Sequence, residues 1–329
     1  MKTIDIHTHL LNPNVNFNRI LDKIIVPLVA KRVGLNRKKL RKNKYQEYIN
    51  SLIFLIKNSK YLNKACLMGV DSKFDINGKE THRDKTICAH TQDVLNVYNQ
   101  YPNLIIPFLS INPLRKNALD LIDKYVQAGC KGAKFLQNYW NIDTNNKNLI
   151  PYYERLKIHN IPLIIHTGSE HTIKSNKHYE KTDILKLPLE VGVKVIAAHM
   201  ASGHIDHKLF LWKNLSKKPK NLNKEYYKLL KMLKTYPNLY ADVSAIVNPV
   251  RARTLNHLSQ QKHIHHKLLF GTDFPLPVFV RLNTLEIDSK TKKKIAKIKN
   301  PFDKYIEIIT YFFQENNPIF TNYKKILKL

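Results

Sequence analysis

The sequence predicts an α/β chain folded as a (β/α)8 TIM barrel, with a helical insertion after strand one and a helical C-terminal tail. Three observations carry that expectation. Eight short β-branched runs recur between Thr3 and Thr272, and helical patterns lie between them. The third is the absence of a GxGxxG turn from a chain with only nine glycines, which argues against an open doubly wound sheet.

In order, the predicted strands are Thr3–His7, Ala65–Val70, Leu104–Ile111, Gly132–Leu136, Pro162–His166, Lys194–His199, Leu239–Ser244 and Lys267–Thr272. The predicted helices are Thr91–Tyr101, Asn117–Gln127, Tyr152–His159, Thr182–Glu190, Lys224–Tyr236 and Arg251–Gln261. Break signals such as "YPN", "AGC", "HNIP" and "VGV" follow them. Two stretches exceed the regular unit. Residues 12–63 hold a basic, aromatic, helical insertion, and 276–329 form a helical tail. Long excursions at the C-terminal face of a barrel usually serve as lids, and for the tail packing on the barrel's outside is an equal alternative. No Gly/Ser/Pro-rich linker and no internal repeat divides residues 1–329, so one domain is expected.

Net charge is +30, which invites a polyanionic partner. Only ten of the 55 basic residues are Arg, however, and the lysines scatter from Lys2 to Lys328. Bidentate phosphate and base recognition favours Arg, so the charge reads as a compositional bias with solvated faces, and a nucleic-acid partner is not expected. No apolar run approaches the ~18 residues of a membrane span. Asp5, His7 and His9 interrupt the place where a leader's apolar segment would lie. Cys66, Cys88 and Cys130 form no CxxC pair, which suits reduced thiols and a cytoplasmic location. The sequence is compatible with a homo-oligomer.

Almost at the first residue stands "TIDIHTHLL". In an extended strand His7 and His9 share a face with Asp5, so two imidazoles can reach one ion. Asp5, one pleat deeper, reads as a supporting or barrel-interior residue and not a ligand. In a parallel barrel the catalytic groups come from the C-terminal ends of several strands. Strand one ends in His7-Thr8-His9, strand four carries Lys134, strand five ends in His166, strand six in His199, and Asp273 follows strand eight. Histidine and carboxylate suit Zn²⁺ or a similar divalent ion. A lone histidine after an apolar strand is ordinarily structural; five such sites on the same end of five strands are not ordinary. No GxSxG elbow and no Cys–His pairing competes with them.

These residues resemble the amidohydrolase superfamily, within it the amidohydrolase-related (amidohydrolase 2) branch of metal-dependent hydrolases and decarboxylases. The resemblance rests on "DIHTH" (Asp5–His9), "KGAKF" (Lys131–Phe135), "IIHTG" (Ile164–Gly168), "AAHMASG" (Ala197–Gly203), "YADVSA" (Tyr240–Ala245) and "LFGTDFP" (Leu269–Pro275). HxH and TD are each weak motifs, and the ordered set is specific. It implies that His7, His9, His166 and Asp273 hold a catalytic divalent metal, Zn²⁺ first, with His199 beside it. In binuclear members the strand-four lysine is carboxylated and bridges two metals, with the strand-five and strand-six histidines on the second. In mononuclear members the strand-six histidine is instead a catalytic group. Lys134 and His199 stand where either arrangement would need them, and one ion is favoured over two.

A metal that brings the pKa of water to about 7 makes hydrolysis of an amide, ester or lactone the expected reaction. Asp273 would ligate, take the proton of the water and pass it to the leaving group; His199 would polarise a carbonyl or hold an oxyanion. Non-oxidative decarboxylation is the alternative. For substrate, the turn after strand four offers Asn138, Tyr139 and Trp140, and the turn after strand five offers Glu170 and His171. Arg251 and Arg253, after strand seven, suit a carboxylate, so a small aromatic or carboxylate-bearing molecule is expected. TatD-type deoxyribonucleases share an early HxH, but their strand-four region features a glutamate in a "GEIGLD"-like stretch where this chain reads "KGAKF".

Overall fold

In the computed structural model, which describes residues 2–12, 30, 43–81, 88–170, 173–203, 222–249, 251–280 and 286–329, eight parallel strands follow one another around a barrel. They are β1 (Thr3–His9), β2 (Leu62–Met68), β3 (Ile105–Leu109), β4 (Gly132–Phe135), β5 (Leu163–Ile165), β6 (Val195–Ala197), β7 (Leu239–Asp242) and β8 (Leu268–Leu269). Each corresponds to one predicted run. β8 ends at Leu269, and the residues after it bond to β1. Ile6 N donates to Phe270 O (3.1 Å), Asp273 N to His7 O (2.8 Å) and His9 N to Phe274 O (2.8 Å). Those bonds draw the two ends of the sheet together and bring Asp273 beside the histidines of β1.

The strands divide the apolar residues between two faces, as the period of two requires. Ile4, Ile6, Cys66, Met68, Ile106, Phe108, Ile164, Ile196 and Leu269 fill one cluster with Ile326 and Leu327 from the last turn of the chain. Their neighbours Ala65, Leu67, Ala133, Phe135, Leu163, Val195 and Leu239 join the larger cluster that includes the helices.

The helices fall near their predicted bounds, with one instructive exception. The predicted Thr182–Glu190 helix is a 3-10 turn over Thr182–Leu185 followed by an α-helix over Lys186–Val191. Pro188 has no N–H to give the Ile184 carbonyl, so the regular helix starts late. That carbonyl accepts instead from Thr144 Oγ1 (2.5 Å). A two-stranded antiparallel ribbon, Lys73–Phe74 with Glu80–Thr81, was not expected from the sequence.

Within the insertion, α1 (Lys44–Lys57) begins at Asn43, whose side chain accepts from Gln46 N (3.0 Å). Its Tyr48 hydroxyl donates to the His9 carbonyl, and its ring lies 6.0 Å from that of Phe274. Residues 13–29 and 31–42, on which much of the lid reading falls, lie outside the described residues. In the tail, the helix Pro301–Phe313 packs against the barrel wall. Phe302 stacks on Phe274 (4.9 Å), and the Tyr305 hydroxyl donates to Val243 O (2.5 Å) while accepting from Ile246 N (3.1 Å).

A buried carboxylate ties the loops on the site's face. Asp71 accepts from Arg115 Nε (2.6 Å) and Nη2 (2.7 Å), from Asn112 N (2.8 Å) and from Ser72 N (2.8 Å), while its carbonyl receives Trp140 Nε1 (2.8 Å). Burial pushes its carboxyl up, but Arg115 and His90 outweigh burial and hold it below the usual value. Arg115→Ala strands this charge and is expected to cost about 3–5 kcal/mol at pH 7. A depressed carboxyl stabilises above its unfolded pKa and loses that contribution as pH falls through its folded one. The cost should therefore shrink between pH 7 and pH 3 in urea unfolding, and an equal cost at both would contradict the assignment.

Candidate metal centre

The ends of β1 and β8 bring three ligand atoms together. His9 Nε2 lies 3.2 Å from His7 Nε2 and 3.2 Å from Asp273 Oδ1, which is 3.6 Å from His7 Nε2. Two donors held 2.0–2.1 Å from a tetrahedral ion are about 3.3 Å apart, so this triangle has the size of a metal's coordination edge. His7, His9 and Asp273 fit a divalent cation. A second grouping, His7, His199 and Asp242, is equally close. There His7 Nδ1 faces Asp242 Oδ2 at 2.7 Å, shorter than such an edge and the length of a charge-assisted hydrogen bond. Asp242 therefore orients His7 from behind, which leaves Nε2 as the atom His7 would offer to a metal.

Electrostatics follow from burial and neighbours. Burial depresses His7, helped by the Lys134 charge and opposed by Asp242. Burial also works against charge on His9, yet Cys88 and Asp273 outweigh it and hold His9 up at about 9. Asp273 resists its own burial: His199, His9 and His7 keep it well below the usual carboxylate range. Burial lowers Lys134, whose Nζ stands 3.2 Å from His7 Nε2.

The backbone is bent to place these groups. His199, Met200 and Ala201 all have left-handed φ (59°, 54°, 49°), as does Asp273 (66°). Such conformations cost about 1–2 kcal/mol per non-glycine residue and cluster at functional sites. Gly168, also left-handed, permits the close approach: a Cβ there would lie 2.2 Å from Ser202 O.

His199 stacks on His7 at 5.1 Å, and its Nδ1 is 3.9 Å from Asp273 Oδ2. His166 is 5.0 Å from the His199 ring, with Nε2 toward Gly168 O (3.2 Å) and Glu170 Oε2 (3.8 Å). It borders the three-donor group and is not one of the three. Arg251 is buried, donating from Nη2 to Ser169 O (2.6 Å), while its buried Nε has no hydrogen-bond partner among the described residues. Arg253 is half-buried. Asn138 is buried and accepts from Tyr139 N (3.0 Å), Lys73 Nζ lies 4.5 Å over the Tyr139 ring, and Trp140 packs on Phe135 at 4.9 Å. These three residues are engaged in the wall. His171 lies outside the described residues.

Sequence reasoning passed over Asp242, Ser244, Cys88 and Tyr48. Asp242 and Ser244 repeat in "DVS" the i, i+2 spacing of the HxH pair, a signal available in the sequence. Cys88 sits with Sγ 3.7 Å from His9 Nδ1, so a cysteine does meet a histidine here, behind a candidate ligand. Asp5 accepts from His7 N (2.9 Å), Thr272 N (3.1 Å) and Thr272 Oγ1 (2.5 Å), a supporting role across the β8–β1 seam.

A family model described as Amidohydrolase (Amidohydro_2) matches residues 4–282. Among solved structures, an uncharacterized TIM-barrel protein from Bordetella bronchiseptica is 14% identical with a TM-score of 0.56, over 98% of this chain and 99% of that one. An amidohydrolase from Burkholderia multivorans, solved with bound HEPES and with bound zinc, is 10% identical with a TM-score of 0.51, over 100% of this chain and 96% of that one. Those likenesses are ones of fold. No curated protein matches the chain. Among the described residues, no helix is long and apolar enough to cross a membrane.

Proposed function

The chain belongs to the amidohydrolase family, and we propose on that footing that it is a metal-dependent hydrolase of an amide, ester or lactone bond in a small carboxylate-bearing molecule. The observation that carries this reading is the 3.2–3.6 Å triangle of His7 Nε2, His9 Nε2 and Asp273 Oδ1 at the ends of two adjoining strands.

A divalent cation held by those residues, Zn²⁺ first, supplies Lewis-acid polarisation and brings water to a pKa of about 7. Asp273 does the proton work: held ionised, it takes a proton from water and returns it to the leaving group. His199 lines the same space from the Oδ2 side of Asp273. The Nε–H of Arg251, which has no hydrogen-bond partner among the described residues, is the support for a carboxylate on the substrate, since a buried guanidinium donor without an acceptor is costly. Glu170 borders this region beside His166.

Metal analysis of protein purified without added metal, paired with intact mass, tests the reading. One equivalent of Zn²⁺ and an unmodified chain are expected. Two equivalents with extra mass on Lys134 would replace the single ion by a carboxylated bridge, and no metal would overturn the proposal. With a turned-over substrate in hand, CO₂ release without net addition of water would move the assignment to the decarboxylases.

A further inference from the structure

The geometry points to Ser244 as a positioning residue whose one hydroxyl sets the tautomer of His199 and braces that of His7. Ser244 is fully buried just beyond the end of β7. Its Oγ lies 2.5 Å from Asp242 Oδ1, 2.8 Å from His199 Nδ1 and 3.0 Å from His7 Nδ1.

Counting protons assigns every one of these bonds. Asp242 Oδ1 accepts from His199 N (2.9 Å) and Ser244 N (3.0 Å), so it stands here as an acceptor. The single Ser244 proton therefore goes to Asp242 Oδ1, which leaves the hydroxyl two lone pairs. His199 Nδ1 faces one of them and, at 3.1 Å, the Ser244 carbonyl, which is also an acceptor. His199 Nδ1 must then carry the hydrogen, and in the neutral ring its Nε2 is bare. By the same reasoning His7 Nδ1 carries a hydrogen, donated to Asp242 Oδ2 at 2.7 Å with Ser244 Oγ alongside, and its Nε2 is free to ligate.

This alters the expectation for His199. Holding an oxyanion requires an N–H at Nε2, whereas this tautomer presents a lone pair there and donates only after taking up a proton. The tautomer assignment stands by itself; its consequence for metal binding rests on the hydrolase reading above.

The two histidines should respond differently to loss of the hydroxyl. His7 keeps Asp242 as its nearest acceptor, while His199 keeps only a carbonyl at 3.1 Å. Ser244→Ala removes the hydroxyl. Ser244→Cys keeps the side-chain volume next to Gly271, where an added Cβ would already meet Ser244 Cβ at 3.4 Å.

The test is a two-bond ¹H–¹⁵N correlation spectrum of the imidazole nitrogens in the full chain with metal chelated, followed by Zn²⁺ affinity from chelator competition. Expected are Nδ1–H tautomers for both histidines in wild type. In both variants the Nδ1–H fraction of His199 should fall in favour of Nε2–H while His7 stays. An Nε2–H His199 in wild type, or an unchanged His199 pattern in both folded variants, would overturn the assignment. A wild-type chain that shows the expected tautomers but binds no metal would instead sink the hydrolase reading and leave the Ser244 assignment standing.

Discussion

Asp273→Asn is expected to lower kcat/KM by about 10³-fold while leaving the metal bound, which is the scale of a lost general base. The substitution keeps an oxygen donor and the side-chain volume next to His9 and His7, so the ligand triangle survives. It removes only the capacity to carry a proton. Backbone strain does not confuse the comparison, because asparagine tolerates the left-handed φ of 66° better than most residues. The bond from residue 273 N to His7 O that fixes the loop is a backbone bond and persists. Turnover and metal content measured on the same preparation check it. A fully metallated variant within tenfold of wild type would place the proton transfer on another group.

The parts of this site that were legible in the sequence are those written in strand periodicity. An i, i+2 pair of histidines, β-branched runs of four or five residues and a polar residue at the end of each are local signals. Parallel topology then forces His7, His9, His199 and Asp273 to one end of the barrel. What periodicity does not contain is the direction of a side chain after its strand has ended. His166 lies at the predicted end of β5, yet its Nε2 turns to Gly168 O. That depends on the left-handed glycine two residues on and on a close approach to Ser202.

Loop residues were less legible still. Trp140 reads as a mouth residue from its place after β4, but its indole N–H is taken by the Asp71 carbonyl, 69 residues away in sequence. Similarly, "AAHMASG" gives no warning of three left-handed residues in a row, since none of them is glycine. Such conformations are paid for by tertiary bonds: His199 N to Asp242 Oδ1 (2.9 Å) and Ala201 N to Thr167 Oγ1 (3.1 Å). Neither partner lies nearby in the chain.

Asp242, which sequence reasoning gave no role in the site, should carry the largest combined effect. Its two oxygens accept from His7 Nδ1 (2.7 Å), His199 N (2.9 Å), Ser244 N (3.0 Å) and Ser244 Oγ (2.5 Å), all in a fully buried place. Asp242→Ala leaves those donors without their acceptor and is expected to cost about 3–5 kcal/mol of stability, with a 10–100-fold loss of metal affinity. Asp242→Asn separates the two effects. An amide placed with its oxygen at the Oδ1 position still serves the two backbone N–H groups, so most of the stability should remain. Its Nδ2 then faces His7 and donates where the carboxylate accepted. His7 Nδ1 must become the acceptor, the ring hydrogen moves to Nε2, and the lone pair that would bind the ion is gone. Urea midpoints and chelator competition on both variants decide the matter: Asp242→Asn should fall near wild type in the first and near Asp242→Ala in the second. Wild-type metal affinity in Asp242→Asn would mean that the carboxylate behind His7 supports the fold alone.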